Sequence, residues 1–365
     1  MTEMNRNFIA ALNREIQKTP PIWIMRQAGR YLPEYRKVRS NFKNFLDMCK
    51  TPEICCELVL QPIERYDFDA AIIFSDILTI PDALGLGVSF VEGKGPVFSN
   101  PIKRPEDISN MINFNPDSLD YVYKTAELTR NELNPSIPLI GFAGSPWTLA
   151  AYSIEGSSSK NFDLTKSFIE SHSDDAHKFL EILADACFEY LKRQIVSGVD
   201  AIQIFDSWAN LLSEEQYLEY SLKYIKKILK KLSEDPVTNK TPTIVFARDP
   251  KCNLDEFKLD DLSCYGMFTS IDPSSAIRVF KDSHALQGNL DPKILLEEDS
   301  VIKESVLKIL SEFKDSFFCS ISLDLFEISS FQPCAFSSNL SETSLYSVKF
   351  SSIYSVSIYP ILTPL

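Results

Sequence analysis

Pro21-Ile22-Trp23-Ile24-Met25-Arg26-Gln27-Ala28-Gly29-Arg30-Tyr31-Leu32-Pro33-Glu34-Tyr35-Arg36-Lys37-Val38-Arg39 passes from an apolar run into a basic loop that contains a glycine. A run of this kind reads as a short buried strand, so Arg26 stands where a strand ends and a loop begins. In α/β proteins the strand ends carry the chemistry. The stretch gathers four arginines and Lys37 around one acid, Glu34, in a chain whose formal net charge is -13. Guanidinium groups stay protonated and grip carboxylates bidentately, so the cluster suits a polyanionic ligand. A solvated helix face is the plainer reading. It fits Arg36, Lys37 and Arg39, but not Arg26 and Arg30, which flank Gly29 in the loop.

Away from that stretch, short apolar runs alternate with longer amphipathic segments. Residues 22–25, 70–74, 139–142, 201–205, 243–246 and 285–287 read as strands, and 52–66, 174–196, 213–232, 274–281 and 300–313 as helices. Repeated β-then-α units imply parallel pairing with right-handed crossovers. In one domain of this size they favour a (β/α)8 TIM-type barrel over an open doubly wound sheet. No GxGxxG or GxxxxGK[ST] motif speaks for a nucleotide-binding sheet, and no linker or solenoid period divides the chain.

A barrel gathers its active site at the C-terminal ends of its strands. There the second run is followed by Ser75-Asp76-Ile77-Leu78. A carboxylate at a buried strand end needs a cation or donors, although Asp76 also suits a helix N-cap or turn. The third run leads into Ser145-Pro146, a cap followed by a good first helical residue, with Tyr152 about two turns in. Taken alone, Tyr152 is as readily a packing aromatic. The fourth run ends in Asp206-Ser207-Trp208. Ser207 lacks the GxSxG elbow and a partnered histidine, so it suits ligand hydrogen bonding better than nucleophilic attack. Gly288, in Gln287-Gly288-Asn289-Leu290-Asp291-Pro292, marks a turn at which backbone can approach a ligand, and equally suits a plain β-to-α loop.

At 365 residues and 44% hydrophobic content the chain can bury one large core or two moderate ones. No apolar run reaches membrane-spanning length, and the start lacks the apolar stretch of a signal peptide, so a cytoplasmic location is expected. The eight cysteines are scattered without a CxxC pair, and the three histidines stand apart from them. Free thiols and no metal follow from that spacing. His172 and His177, in an acidic helical context, read as ordinary surface residues. The acidic balance disfavours nucleic acid and anionic membranes as partners, so the basic cluster acts locally.

Residues 23–36 resemble, nearly without gaps, the N-terminal signature of the uroporphyrinogen decarboxylase family. Further blocks follow in the family's order: Phe74-Ser75-Asp76-Ile77-Leu78, Gly144-Ser145-Pro146-Trp147-Thr148-Leu149, Ile204-Phe205-Asp206-Ser207-Trp208 and Leu286-Gln287-Gly288-Asn289-Leu290-Asp291-Pro292. The resemblance covers about residues 20–313. It implies a homodimeric barrel that decarboxylates the four acetate arms of uroporphyrinogen III to give coproporphyrinogen III, in the haem and chlorophyll route, without metal or organic cofactor. Arg26 and Arg30 resemble the family's carboxylate-binding arginines, within a substrate loop that includes Gln27, Ala28 and Gly29. Asp76 resembles the acid that accepts the pyrrole N–H groups and is expected to be ionised. Tyr152 and Ser207 resemble further substrate contacts, and Arg26 is the family's candidate proton donor, although arginine is a reluctant acid.

From about Ser316 the family pattern stops. The family's C-terminal glycine-and-histidine loop has no counterpart, and no histidine follows His284. Residues 1–315 are therefore read as the barrel and 316–365 as an atypical segment, a shifted reading frame being the preferred explanation. Residues 317–323 can still pair as an eighth strand. Two other functions stay open: a porphyrinogen-binding protein without catalysis, and a corrinoid-type methyltransferase of the same superfamily, which needs zinc held by His and Cys.

Overall fold

The computed structural model describes residues 6–313, Lys18 and Glu92 excepted, and the backbone of Phe318–Leu323. The strands are β1 (Ile22–Ile24), β2 (Ala71–Ile72), β3 (Val88–Val91), β4 (Gly95–Phe98), β5 (Leu139–Gly144), β6 (Ala201–Asp206), β7 (Thr243–Ala247), β8 (Cys264–Gly266), β9 (Ala285–Gln287) and β10 (Phe318–Leu323). Eight of them pair in the order β1-β10-β9-β8-β7-β6-β5-β2, every pair parallel, while β3 and β4 form a separate antiparallel hairpin. The two ends of that order meet at Asp69. Its backbone N–H donates to the Ile22 carbonyl at 2.9 Å, and its carboxylate accepts the Ile22 N–H at 2.7 Å. One residue thus bridges the two ends of the order, and the fold is the expected α/β barrel of TIM type.

The interior is filled rather than open. Trp23, Gln203 and Gln287 are fully buried on β1, β6 and β9. Trp23 Nε1 donates to Gln287 Oε1 at 3.0 Å, and Gln287 Nε2 to Gln203 Oε1 at 3.3 Å, so a polar chain crosses the barrel. At the opposite end from the strand exits, Asp200 accepts from Arg130 Nη1 at 3.0 Å and the Leu139 N–H at 2.8 Å, and pairs with Arg6. That end of a barrel serves stability.

The outer helices follow from pattern and caps. In Lys223–Glu234 the buried residues Tyr224, Ile225, Ile228, Leu229 and Leu232 recur at helical spacing. Its outward Lys227 and Lys231 reach Asp185, on the helix Ser173–Val196, at 2.7 Å and 3.1 Å. Ser145 caps Pro146–Glu155 as expected, its Oγ accepting the Thr148 N–H at 3.0 Å. The helix expected over 213–232 is present, capped by Ser213 and running from Glu214 to Glu234, with a π segment, Tyr217–Leu222, within it. The wider turn swings Ser221 onto Asp206 Oδ2 at 2.6 Å, a bond to a buried carboxylate that offsets the irregular backbone.

Elements that the sequence pattern did not announce include β8, the β3–β4 hairpin and the helices Asp120–Glu132 and Asp163–Ser171. The strand allowed for at 317–323 is present as β10, parallel to both β1 and β9. It lies inside the span set apart as 316–365, the rest of which is outside the described residues.

Candidate active site

Asp76 lies beyond the end of β2, half-buried. Its Oδ1 accepts the Leu78 N–H at 2.8 Å, and its carbonyl accepts the Thr79 hydroxyl at 3.0 Å. The turn role is therefore present, yet it occupies one carboxylate oxygen. Burial raises this carboxyl above the ordinary carboxylate range, while the Leu78 bond and the charge of Arg26 pull the other way. A negative charge here is costly until a cation joins it, which bears on the expected ionised state.

Arg26 is exposed at the exit of β1. Its charge reaches both Asp76 and Tyr152. Tyr152 is buried on Pro146–Glu155, its ring edge-on to Phe162 at 5.8 Å and to Trp208 at 5.7 Å. Burial pushes its phenol up and so does Asp76, against Trp208, Arg26 and Arg248. The barrel thus brings Arg26, Asp76, Tyr152 and Arg248 into one electrostatic neighbourhood. Arg248 was not foreseen, although it directly follows β7, which is the position to read in a barrel.

The rest of the basic loop divides by role. Gln27 is buried and donates to the Ala70 carbonyl at 2.6 Å, tying the loop to β2, and the Tyr31 hydroxyl donates to the Gln27 carbonyl. Its side-chain nitrogen is therefore engaged within the protein. Ala28 and Gly29 are half-buried. Arg30 is exposed, and its charge reaches Tyr35, whose ring lies 6.0 Å from that of Phe74, two residues before Asp76. Glu34 turns from its basic neighbours to Arg65, at 2.7 Å and 2.9 Å, while Arg36 Nη1 supports the Arg30 carbonyl at 2.8 Å.

At the exit of β6, Asp206 and Ser207 part company. Asp206 is fully buried and accepts from Ser145 at 2.7 Å, Thr148 at 3.0 Å and Ser221 at 2.6 Å. It clamps three elements together and is not a ligand acceptor. Ser207 is half-buried next to Trp208, whose Nε1 is a buried donor without a hydrogen-bond acceptor among the described residues. Gly288, at φ 116°, stands close to the chain just beyond β8: a Cβ there would lie 2.8 Å from the Met267 carbonyl oxygen.

An aromatic floor was also missed. Phe142 meets Phe205 at 5.7 Å, Phe205 meets Phe246 at 6.3 Å and Phe246 meets Phe268 at 6.4 Å, with the Arg248 guanidinium 5.9 Å from the Phe268 ring. The signal lay in the phenylalanines at the ends of successive apolar runs. His177 is not an ordinary surface residue either. It is half-buried, stacked on Tyr220 at 4.8 Å, 2.7 Å from the Tyr224 hydroxyl and 3.1 Å from Glu219. Among the described residues no three His, Cys, Asp or Glu side chains are grouped as a metal would require.

A family model described as Uroporphyrinogen decarboxylase (URO-D) matches residues 3–325, somewhat more than the motifs alone suggested. A uroporphyrinogen decarboxylase of Acinetobacter baumannii is 45% identical over 312 residues, 85% of this chain and 87% of the relative. One of Alcanivorax borkumensis is 44% identical over 312 residues, 85% of this chain and 88% of the relative. Among solved structures, a methyltransferase from Methanosarcina mazei superposes with a TM-score of 0.71, covering 96% of this chain and 99% of that one. At 15% identity it attests the fold alone.

Proposed function

The chain belongs to the uroporphyrinogen decarboxylase family, and from that premise we propose how its cleft removes the four acetate carboxyls of uroporphyrinogen III to give coproporphyrinogen III. Each decarboxylation consumes one proton overall: an acetate arm becomes a methyl group and carbon dioxide leaves. The electrons of the breaking C–C bond need a sink. A pyrrole protonated at the α-carbon next to the carbon that bears the arm supplies one within the substrate: the electrons pass into the conjugated C=N+ as carbon dioxide leaves, the exocyclic methylene takes a proton to become methyl, and the α-carbon gives its proton back. Asp76 is the group aimed at that ring. Its carboxylate accepts the pyrrole N–H and stabilises the cation that forms, and its elevated pKa means that the cation offsets a charge held at a cost.

Arg26 and Arg30 hold the carboxylates, with the Gln27-Ala28-Gly29 backbone shaping the loop between them. Arg26 is also the proton-donor candidate. Tyr152 and Ser207 add hydroxyl contacts from the opposite side, Arg248 adds a third guanidinium, and Phe142, Phe205, Phe246 and Phe268 offer apolar faces to the macrocycle. The observation that carries this reading is the convergence of Arg26 and Asp76, from the exits of β1 and β2, with Tyr152 from the helix Pro146–Glu155.

The reading includes a homodimer in the cytoplasm with one barrel per chain and no nucleic-acid or membrane partner. No helix among the described residues is long and apolar enough to cross a membrane. The test is incubation of the full chain with uroporphyrinogen under reducing conditions. Stepwise loss of carboxyl groups with release of carbon dioxide is the expected result; binding without release would make the chain a porphyrinogen-binding protein. Size-exclusion chromatography with light scattering checks the dimer.

A further inference from the structure

On the outer-helix side of Asp76, four buried hydroxyls have no hydrogen-bond partner among the described residues: those of Ser75, Tyr121, Tyr123 and Tyr190. They come from three elements, the exit loop of β2, the helix Asp120–Glu132 and the helix Ser173–Val196. The Tyr123 and Tyr190 rings lie 6.0 Å apart. The Tyr190 hydroxyl sits beside Ser75 and Thr79 without closing a direct bond to either, and it feels the charge of Asp76. Tyr121 feels Tyr190, Asp82, Cys49 and Asp76 in turn, and Lys50 Nζ, paired with Asp82 at 2.9 Å, stands 5.9 Å from its ring. A buried hydroxyl left without a hydrogen bond is costly. Four in one place point to hydroxyls that are bridged by ordered water.

We propose that Ser75, Tyr121 and Tyr190 enclose ordered water behind Asp76, and that this hydrated wall orients the carboxylate and stabilises its charge, making Tyr121 and Tyr190 positioning residues for decarboxylation. The inference rests on the role given to Asp76 above. The groups that face Asp76 are Arg26 from the exit of β1, Cys49 from the helix Phe45–Cys49, Tyr121, Tyr152 and Tyr190. Burial keeps the Cys49 thiol and the three phenols neutral at physiological pH, so Arg26 is the one cation in this set. Water held by the phenols adds oriented dipoles from behind, where no charged side chain of the set stands.

The test is the titration of Asp76 itself, followed by carboxyl 13C NMR with Asp76→Asn supplying the assignment. Tyr190→Phe and Tyr121→Phe are each expected to move the Asp76 midpoint upward by about half a pH unit. The acid limb of kcat/KM moves with it. Tyr123→Phe removes a hydroxyl that neighbours Tyr190 but not Asp76, and leaves the midpoint in place. Where Tyr190→Phe does not fold, the half-buried Tyr121 carries the test. An unmoved midpoint accompanied only by a lower Tm overturns the proposal and leaves these tyrosines as packing, as does a high-resolution crystal structure in which the space between the hydroxyls is dry. The titration needs no turnover. A chain that releases no carbon dioxide therefore defeats the functional reading, whereas an unmoved midpoint defeats the hydrated wall.

Discussion

Asp76 concentrates the chemistry because its two oxygens have different tasks. One is held by the Leu78 N–H at 2.8 Å, which fixes the direction of the carboxylate, while the other takes no hydrogen bond from the described residues. Asp76→Asn keeps an oxygen for Leu78 and deletes only the charge. It is expected to lower kcat by about 10²–10³-fold with a much smaller change in KM, read from steady-state kinetics. The pH sign follows from the raised pKa. Catalysis needs the ionised form, so activity is present above the folded pKa and is lost as pH falls through it, at a value above the usual carboxylate pKa of about 4. Asp76→Asn removes that acid limb. Wild-type turnover in Asp76→Asn, with the limb intact, would sink the electrostatic role.

At the scale of elements, the strand-exit rule supplied most of the candidate residues, and the helix rule gave the supporting helix over 213–232 without its π segment. Asp76, Tyr152 and Ser207 were legible because each follows a recognisable apolar run. Arg248 follows one equally well, but a lone arginine before Asp249-Pro250 gives no cue to which way it turns. The strand β8 is three residues long and preceded by Asp260-Asp261-Leu262-Ser263, so alternation had no length in which to show. The π turn Tyr217–Leu222 was invisible because its cause lies in the partner: Asp206 draws Ser221 from across the barrel layer. Ser221→Ala is therefore expected to destabilise the fold by about 1.5–3 kcal/mol, the loss of a hydrogen bond to a buried carboxylate. Urea unfolding should show a lower midpoint at unchanged m value. Because Asp206 adjoins Ser207, KM for the tetrapyrrole should rise a few-fold as well. A midpoint equal to wild type would mean that Ser145 and Thr148 alone satisfy Asp206.

For the whole molecule, closure is the decisive feature, and it was only half readable. The β/α rhythm predicts a ring, but the parts that seal it are short and polar. On one side β10 fills the place between β1 and β9; on the other, β2 meets β1 through Asp69. An open seam would leave strand edges able to pair with other chains. Burial, with a smaller push from Asp67, raises the Asp69 carboxyl to about 6, against the lowering pull of the Ile22 N–H. For an acid raised in the folded state, the charge costs stability at every pH above the folded value. The cost fades as pH falls through that value, and it is absent below the unfolded value near 4. Asp69→Asn keeps an acceptor for Ile22 and deletes the charge, so it should stabilise the fold by about 1–2 kcal/mol at pH 8 and by nothing near pH 4. Asp69→Ala deletes the acceptor too, and should cost about 1–3 kcal/mol at both. Thermal melts across that pH range separate the two effects: parallel curves for wild type and Asp69→Asn would show that the seam carries no buried charge, and an unaltered Asp69→Ala would show that the ring is held elsewhere.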